Sequence, residues 1–165
     1  VEVPLPVDPE EHRVKENELP LFDGSLKTNH YAGLLPASSK GDKFFFYWLF
    51  YPNLEGFSGK EEDIPLLIWL NGGPGCSSMD GLFIENGPIM LVQSQGKWKL
   101  TSRETSWHNS PAYVVYVDQP VGTGLSFTTS KKYPRNDEEV NVDFYYWLTQ
   151  FLQLHANVFL NKDKT

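Results

Sequence analysis

The sequence has one cysteine in 165 residues, so the chain can form no internal disulfide. Counting alone points to a reduced compartment or a free thiol, or to a partner elsewhere on a longer polypeptide. Basic residues are also scarce: 14 Lys and Arg against 21 Asp and Glu leave a net charge of -7, and no basic stripe gathers them. That balance excludes a nucleic-acid surface, because phosphate binding needs clustered cations. No apolar run reaches the roughly 18 residues of a membrane span. The opening "VEVPLPVDPEEHRVKE" has neither the basic n-region nor the apolar h-region of a secretory signal, so any such signal has been removed already. There is no internal repeat, no low-complexity tract and no G-x-S-x-G.

What is present suffices for a packed core. Hydrophobic residues make up 40% and aromatics 15%, at a length suited to one domain. The first 20 residues are rich in Pro and Glu and read as an extended arm. "HYAGLLPAS" and "KFFFYWLFYP" flank a polar turn at Gly41 and Asp42, which predicts a β-hairpin. "IPLLIWLN" is a continuous apolar run, the pattern of a strand buried on both faces of a partly parallel sheet. "SMDGLFIENG" predicts a short helix, and "IMLVQSQGKWKLTS" predicts two small strands turning at Gly96. "AYVVYVDQP" is a second apolar strand, stopped by Pro120. From 136 to 160, apolar residues recur at helical spacing behind acidic residues that suit the first turn of a helix. Strand, turn, helix, strand, loop and long helix is the order of an α/β fold, whose sites lie at the carboxyl ends of the strands.

"NGGPG" (71–75) and "VGTG" (121–124) fall at two such ends. A dinucleotide loop needs G-x-G-x-x-G, and "GGPG" misses that spacing, while Pro74 removes a backbone donor. A phosphate-binding P-loop needs a Lys-Ser/Thr pair after its glycines, and none follows. Two readings survive: a tight turn alone, or an oxyanion hole in which exposed N–H groups of Gly72 and Gly73 face a developing negative charge.

"WLNGGPGCSSMDGLFIENGP", followed by "SWHNSPAYVVYVDQPVGTGLSF", resembles the serine carboxypeptidase family of α/β-hydrolases, as do the aromatic hairpin and "FDGSLKTNHYAG" before them. The resemblance covers residues 20 to about 160 and corresponds to the first part of such an enzyme. It implies class α/β: an α/β-hydrolase fold, here the N-terminal part of a mixed, mostly parallel central sheet with flanking helices. The arm would span 1–20, and 21–165 would be the N-terminal part of a single domain completed by residues outside this sequence. The family's nucleophile elbow, Gly-Glu-Ser-Tyr-Ala-Gly, would follow the long helix, with the catalytic Asp and His later still. Ser77 and Ser126 lack that context and neither is assigned as nucleophile, while His12, His30, His108 and His155 have no evident serine partner and read as structural, so the 165 residues alone read as inactive.

By the same resemblance, Gly73, with Gly72 beside it, supplies an oxyanion-hole N–H, while Asn71 and Glu85 hold the C-terminal carboxylate of a substrate peptide. The chemistry agrees. An Asn amide is a neutral donor, and Glu85 can donate to a carboxylate only when protonated, which predicts acidic working conditions. Without the motif, Asn71 would be a turn residue and Glu85 a solvated helix-end charge. Cys76 matches a family cysteine whose disulfide partner lies beyond this sequence, which reverses the compartment reading to the secretory pathway: lysosome or vacuole, Golgi, or outside the cell. Asp118 reads as ordering its loop rather than as a catalytic acid. "SSMDG" and "GTG" are similar to the Golgi precursor-processing branch, where Asp80 would pair with a basic leaving residue; otherwise Asp80 is a first-turn charge favoured by the helix dipole. The resemblance implies no cofactor and no metal. The partners implied are peptide or protein C-termini, and either the remainder of the polypeptide or a second chain to complete the fold. Open alternatives are an acyltransferase on the same scaffold and a noncatalytic module.

Overall fold

The structure is a computed structural model that describes residues 8–26 and 28–160. The first seven residues of the expected arm lie outside that range. Residues 8–20 form two short 3-10 turns rather than a plain extended segment. They are pinned by a bridge from Arg13 to Tyr31 and by Glu16, which accepts from the Leu26 N–H at 2.7 Å.

The hairpin forms as expected: β1 (His30–Pro36) pairs antiparallel with β2 (Lys43–Phe50). β2 then pairs antiparallel with β6 (Tyr113–Val117), and β6 pairs in parallel with β3 (Leu66–Trp69), giving the order β1-β2-β6-β3. The short β7 (Phe127–Thr128) closes against the start of β2. The two-residue alternation of β2 divides the core between the sheet's faces. Phe45, Tyr47 and Leu49 join Val115 and Val117 under Trp147 and Phe151, whereas Trp48 and Phe50 join Val114, Tyr116, Leu82 and Ile89 on the other side.

The sheet is mixed, but among the described strand pairings within it only β3 with β6 is parallel. A second expectation is corrected. The β3 run is not buried on both faces: Leu67, Ile68 and Leu70 are 36%, 37% and 41% exposed. β6 occupies one edge of β3, and no described strand occupies the other. An apolar run reports a strand that is covered somewhere, without reporting by which segment.

α1 (Ser78–Asp80) runs on into a wide, π-type helical segment, Gly81–Asn86. It and the hairpin of β4 (Ile89–Ser94) and β5 (Lys97–Ser102) lie on the second face. That hairpin turns where expected, at Gln95 and Gly96, both with positive φ (51° and 75°), which suits a tight primed turn. α2 (Asp137–Leu154) covers the first face; Asn136 caps it by accepting from the Glu139 N–H at 2.9 Å. The expected single helix breaks at His155, and α3 (Ala156–Phe159) follows. No helix among the described residues is long and apolar enough to cross a membrane.

Candidate functional site

Because β3 and β6 are parallel, their carboxyl ends share one edge of the sheet. "NGGPG" and "VGTG" meet there. Each loop contains a cis X-Pro bond, Gly73–Pro74 and Gln119–Pro120. Gly73 and Gly75 have φ of 133° and 104°, conformations that side chains resist, and a Cβ on Gly73 would stand 3.0 Å from the Gly75 nitrogen. The turn closes through the Cys76 N–H, which donates to the Gly72 carbonyl at 3.3 Å. Among the described residues, no protein acceptor takes the Gly72 or Gly73 N–H, and both glycines are exposed. Exposed amide donors without a protein acceptor are the groups an oxyanion hole uses.

Asn71 sits at the root of this turn. Its side-chain oxygen accepts from the Trp69 indole N–H at 2.5 Å, and its backbone N–H donates to Ser78 Oγ at 3.1 Å. With the oxygen occupied, the amide NH2 is the group left to face a ligand. Trp69 thus orients the Asn71 side chain, a contact that sequence reasoning missed; an indole two residues before the Asn was the available signal. Trp69 is itself seated by Gly81, since a Cβ there would fall on the indole.

Glu85 is exposed at the end of the π-type segment, and no hydrogen bond joins it to Asn71 among the described residues. The segment end is held independently of Glu85. Arg103 donates to the carbonyls of Phe83 and Gly87 at 3.0 and 2.9 Å, and Tyr116 Oη donates to Asn86 Oδ1 at 2.8 Å. Asp80 is exposed in the first turn of α1, with no described ion-pair partner. Cys76 is a free, exposed thiol in the turn itself.

Asp118 is completely buried, and its carboxylate binds both loops: Ser77 Oγ at 2.7 Å, the Ser78 N–H at 2.8 Å and the Leu125 N–H at 2.9 Å. Ser126 is buried and spans Asp118 and β2, accepting from the Phe46 N–H and donating to the Asp118 carbonyl. The histidines are buried or half-buried, and desolvation lowers the pKa of all four, that of His30 and His155 to about 4. One expectation is corrected: His108 does have a serine partner, with Nδ1 2.9 Å from Ser106 Oγ. Both are buried and only two residues apart, and Ser106 caps a 3-10 turn, so the pair is a local structural contact. Among the described residues no group of His, Cys, Asp and Glu could hold a metal ion.

A mixed sheet covered by helices, with unclaimed backbone donors at the carboxyl ends of its parallel strands, is the architecture of an α/β protein. Comparison with known proteins makes the assignment specific. The family model for serine carboxypeptidases matches residues 20–163. The chain is 42% identical over 142 residues to a serine carboxypeptidase S10 family member of Dictyostelium discoideum, covering 85% of this chain and 24% of that protein. It is 40% identical over 137 residues to a pheromone-processing carboxypeptidase of Phytophthora infestans (83% and 21%) and 39% over 132 residues to a venom serine carboxypeptidase of Apis mellifera (79% and 26%). The chain belongs to the serine carboxypeptidase family, whose fold is the α/β-hydrolase fold. It spans about a quarter of the length of these relatives.

Proposed function

We propose that the full-length protein is a serine carboxypeptidase, which releases C-terminal residues from peptides, and that these 165 residues carry its recognition segment. The observation that carries this reading is the exposed turn at Gly72 and Gly73, with its amides unclaimed, beside an Asn71 whose oxygen Trp69 already occupies. Gly73, with Gly72, stabilises the oxyanion, and Asn71 and Glu85 grip the substrate's terminal carboxylate. Asp80 selects a basic leaving residue. Cys76 forms a disulfide with a cysteine outside this sequence, in an oxidising secretory compartment. Relatives named for venom and for pheromone processing fit that setting.

The nucleophilic serine and its Asp and His lie outside this sequence, which contains no G-x-S-x-G, so residues 1–165 expressed alone have no activity. The free edge of β3 takes the next strand of the sheet, from the rest of the polypeptide or from a second chain, and that addition supplies the parallel majority expected of the fold. The test is to assay the full-length protein on one peptide with a free and with an amidated C-terminus, in parent and Asn71→Ala forms. The reading expects cleavage of the free form, weak cleavage of the amide, and a loss of that preference in the variant. Equal cleavage of both forms by the parent overturns it; acyl transfer without hydrolysis makes the protein an acyltransferase.

A further inference from the structure

The structure assigns Asp118 a role as the positioning residue of the anion-binding turn, an inference that rests on the carboxypeptidase reading. Its carboxylate is buried with no ion-pair partner among the described residues, so neutral donors alone compensate the charge. Such a group is expensive to desolvate, and its retention calls for a reason. The three donors come from two loops: Oδ1 takes Ser77 Oγ and the Ser78 N–H, and Oδ2 takes the Leu125 N–H. Gly124 carries no side chain at the junction, where a Cβ would fall on the carboxylate.

Asp118 is a fixed point because its own backbone is tied to the sheet. Its N–H donates to the Phe46 carbonyl at 3.0 Å, and its carbonyl accepts from Ser126 Oγ, which in turn holds the Phe46 N–H. The turn is fastened at both ends, at Asn71 through Ser78 Oγ and at Ser77 and Ser78 through Asp118, and Gly72 and Gly73 hang between. Donors contribute most to a transition state when they are aimed before charge develops, so that no reorganisation is needed. Asp118 does this aiming through the two serines. Each of its oxygens accepts from the loops it joins, and no described hydrogen bond links it to a histidine.

An Asn at this position has one oxygen. Kept toward Ser77 and Ser78, it turns an NH2 against the Leu125 N–H; reversed, it releases the turn. In the full-length enzyme, Asp118→Asn should lower kcat about 10- to 100-fold with KM changed by less than about twofold. Affinity for a peptide aldehyde, which forms a tetrahedral oxyanion on the serine, should fall by the same factor. Affinity for a product peptide, which forms none, should hold. Ser77→Ala should show a smaller version of the same split, and Ser77→Thr, which keeps the hydroxyl, should restore the parent values; these two carry the test should Asp118→Asn not fold. Unchanged kcat in the variants, or equal losses for aldehyde and product, overturns the positioning role while leaving an active parent a carboxypeptidase. A parent that neither releases terminal residues nor binds the aldehyde overturns both.

Discussion

Lys43 at the start of β2 and Asp143 in the second turn of α2 form a two-pronged ion pair, Nζ standing 2.6 and 2.9 Å from the carboxylate oxygens. The pair is largely covered, with the Asp143 side chain only 6% exposed, and it locks the long helix to the sheet across 100 residues of sequence. Removing one member strands the other in a dry setting, so Asp143→Ala should cost about 3 kcal/mol. The double replacement Lys43→Met with Asp143→Leu should recover most of that loss. Urea unfolding of the full-length variants checks both.

The phenol of Tyr47 links two histidines, 2.8 Å from His12 Nδ1 and 3.1 Å from His155 Nε2. A phenol carries one proton, so one imidazole must donate. His155 donating through Nε2 leaves its unpartnered Nδ1 as a bare lone pair, which costs less than an orphan N–H. Burial lowers His155 from 6.5 to about 4, so the folded state holds it neutral while the unfolded chain takes up a proton below 6.5. Its contribution is therefore complete above pH 6.5 and shrinks steadily down to about pH 4. His155→Phe should flatten the fall of stability across that window, as read by melting temperature against pH.

Gly81 lets the helical segment lie directly on the Trp69 indole that holds Asn71. Gly81→Ala should push the indole aside, cost about 1 to 3 kcal/mol through overpacking, and loosen Asn71. KM for a peptide with a free carboxylate should rise by more than KM for its amide. Equal rises would separate Trp69 from carboxylate recognition.

Residues 1–165 expressed alone should self-associate, because the open edge of β3 presents Leu67, Ile68 and Leu70, and α2 presents Val142 and Tyr145, 63% and 70% exposed. Sedimentation across a concentration series checks this, and Ile68→Lys should reduce it. The other apolar strand, β6, has no such exposed edge, since it lies between β2 and β3.

The contrast between β3 and β6 separates what was legible in the sequence from what was not. The hairpins at Gly41 and Gly96 and the cap and acidic first turn of α2 are local features, and local chemistry specifies them. Strand order is a long-range property: "LLIW" and "YVVYV" look alike, and only the pairing of β6 on both edges distinguishes them. The glycine turn and Asn71 were visible as a motif. The indole that occupies Asn71 lies only two residues away, so that contact is local, and an indole at that spacing was its one signal. The carboxylate that joins 77–78 to 125 was not legible, because its contacts depend on two loops meeting across the sheet edge.

Glu85 offers the sharpest test of the carboxylate grip. It stands exposed at the end of a segment fixed by Arg103 and Tyr116 rather than by Glu85 itself, so replacing it should leave the backbone in place. A glutamate can donate to a substrate carboxylate only after taking up a proton, whereas a glutamine donates at any pH. As pH rises, the parent should lose this hydrogen bond and meet like-charge repulsion in its place. Glu85→Gln should therefore carry kcat/KM to higher pH than the parent, with the gain appearing mainly in KM. Amidated substrates, which lack the carboxylate, should show no such shift between the two enzymes. An unchanged alkaline limb on the free-acid substrate removes Glu85 from the site and leaves the grip to Asn71.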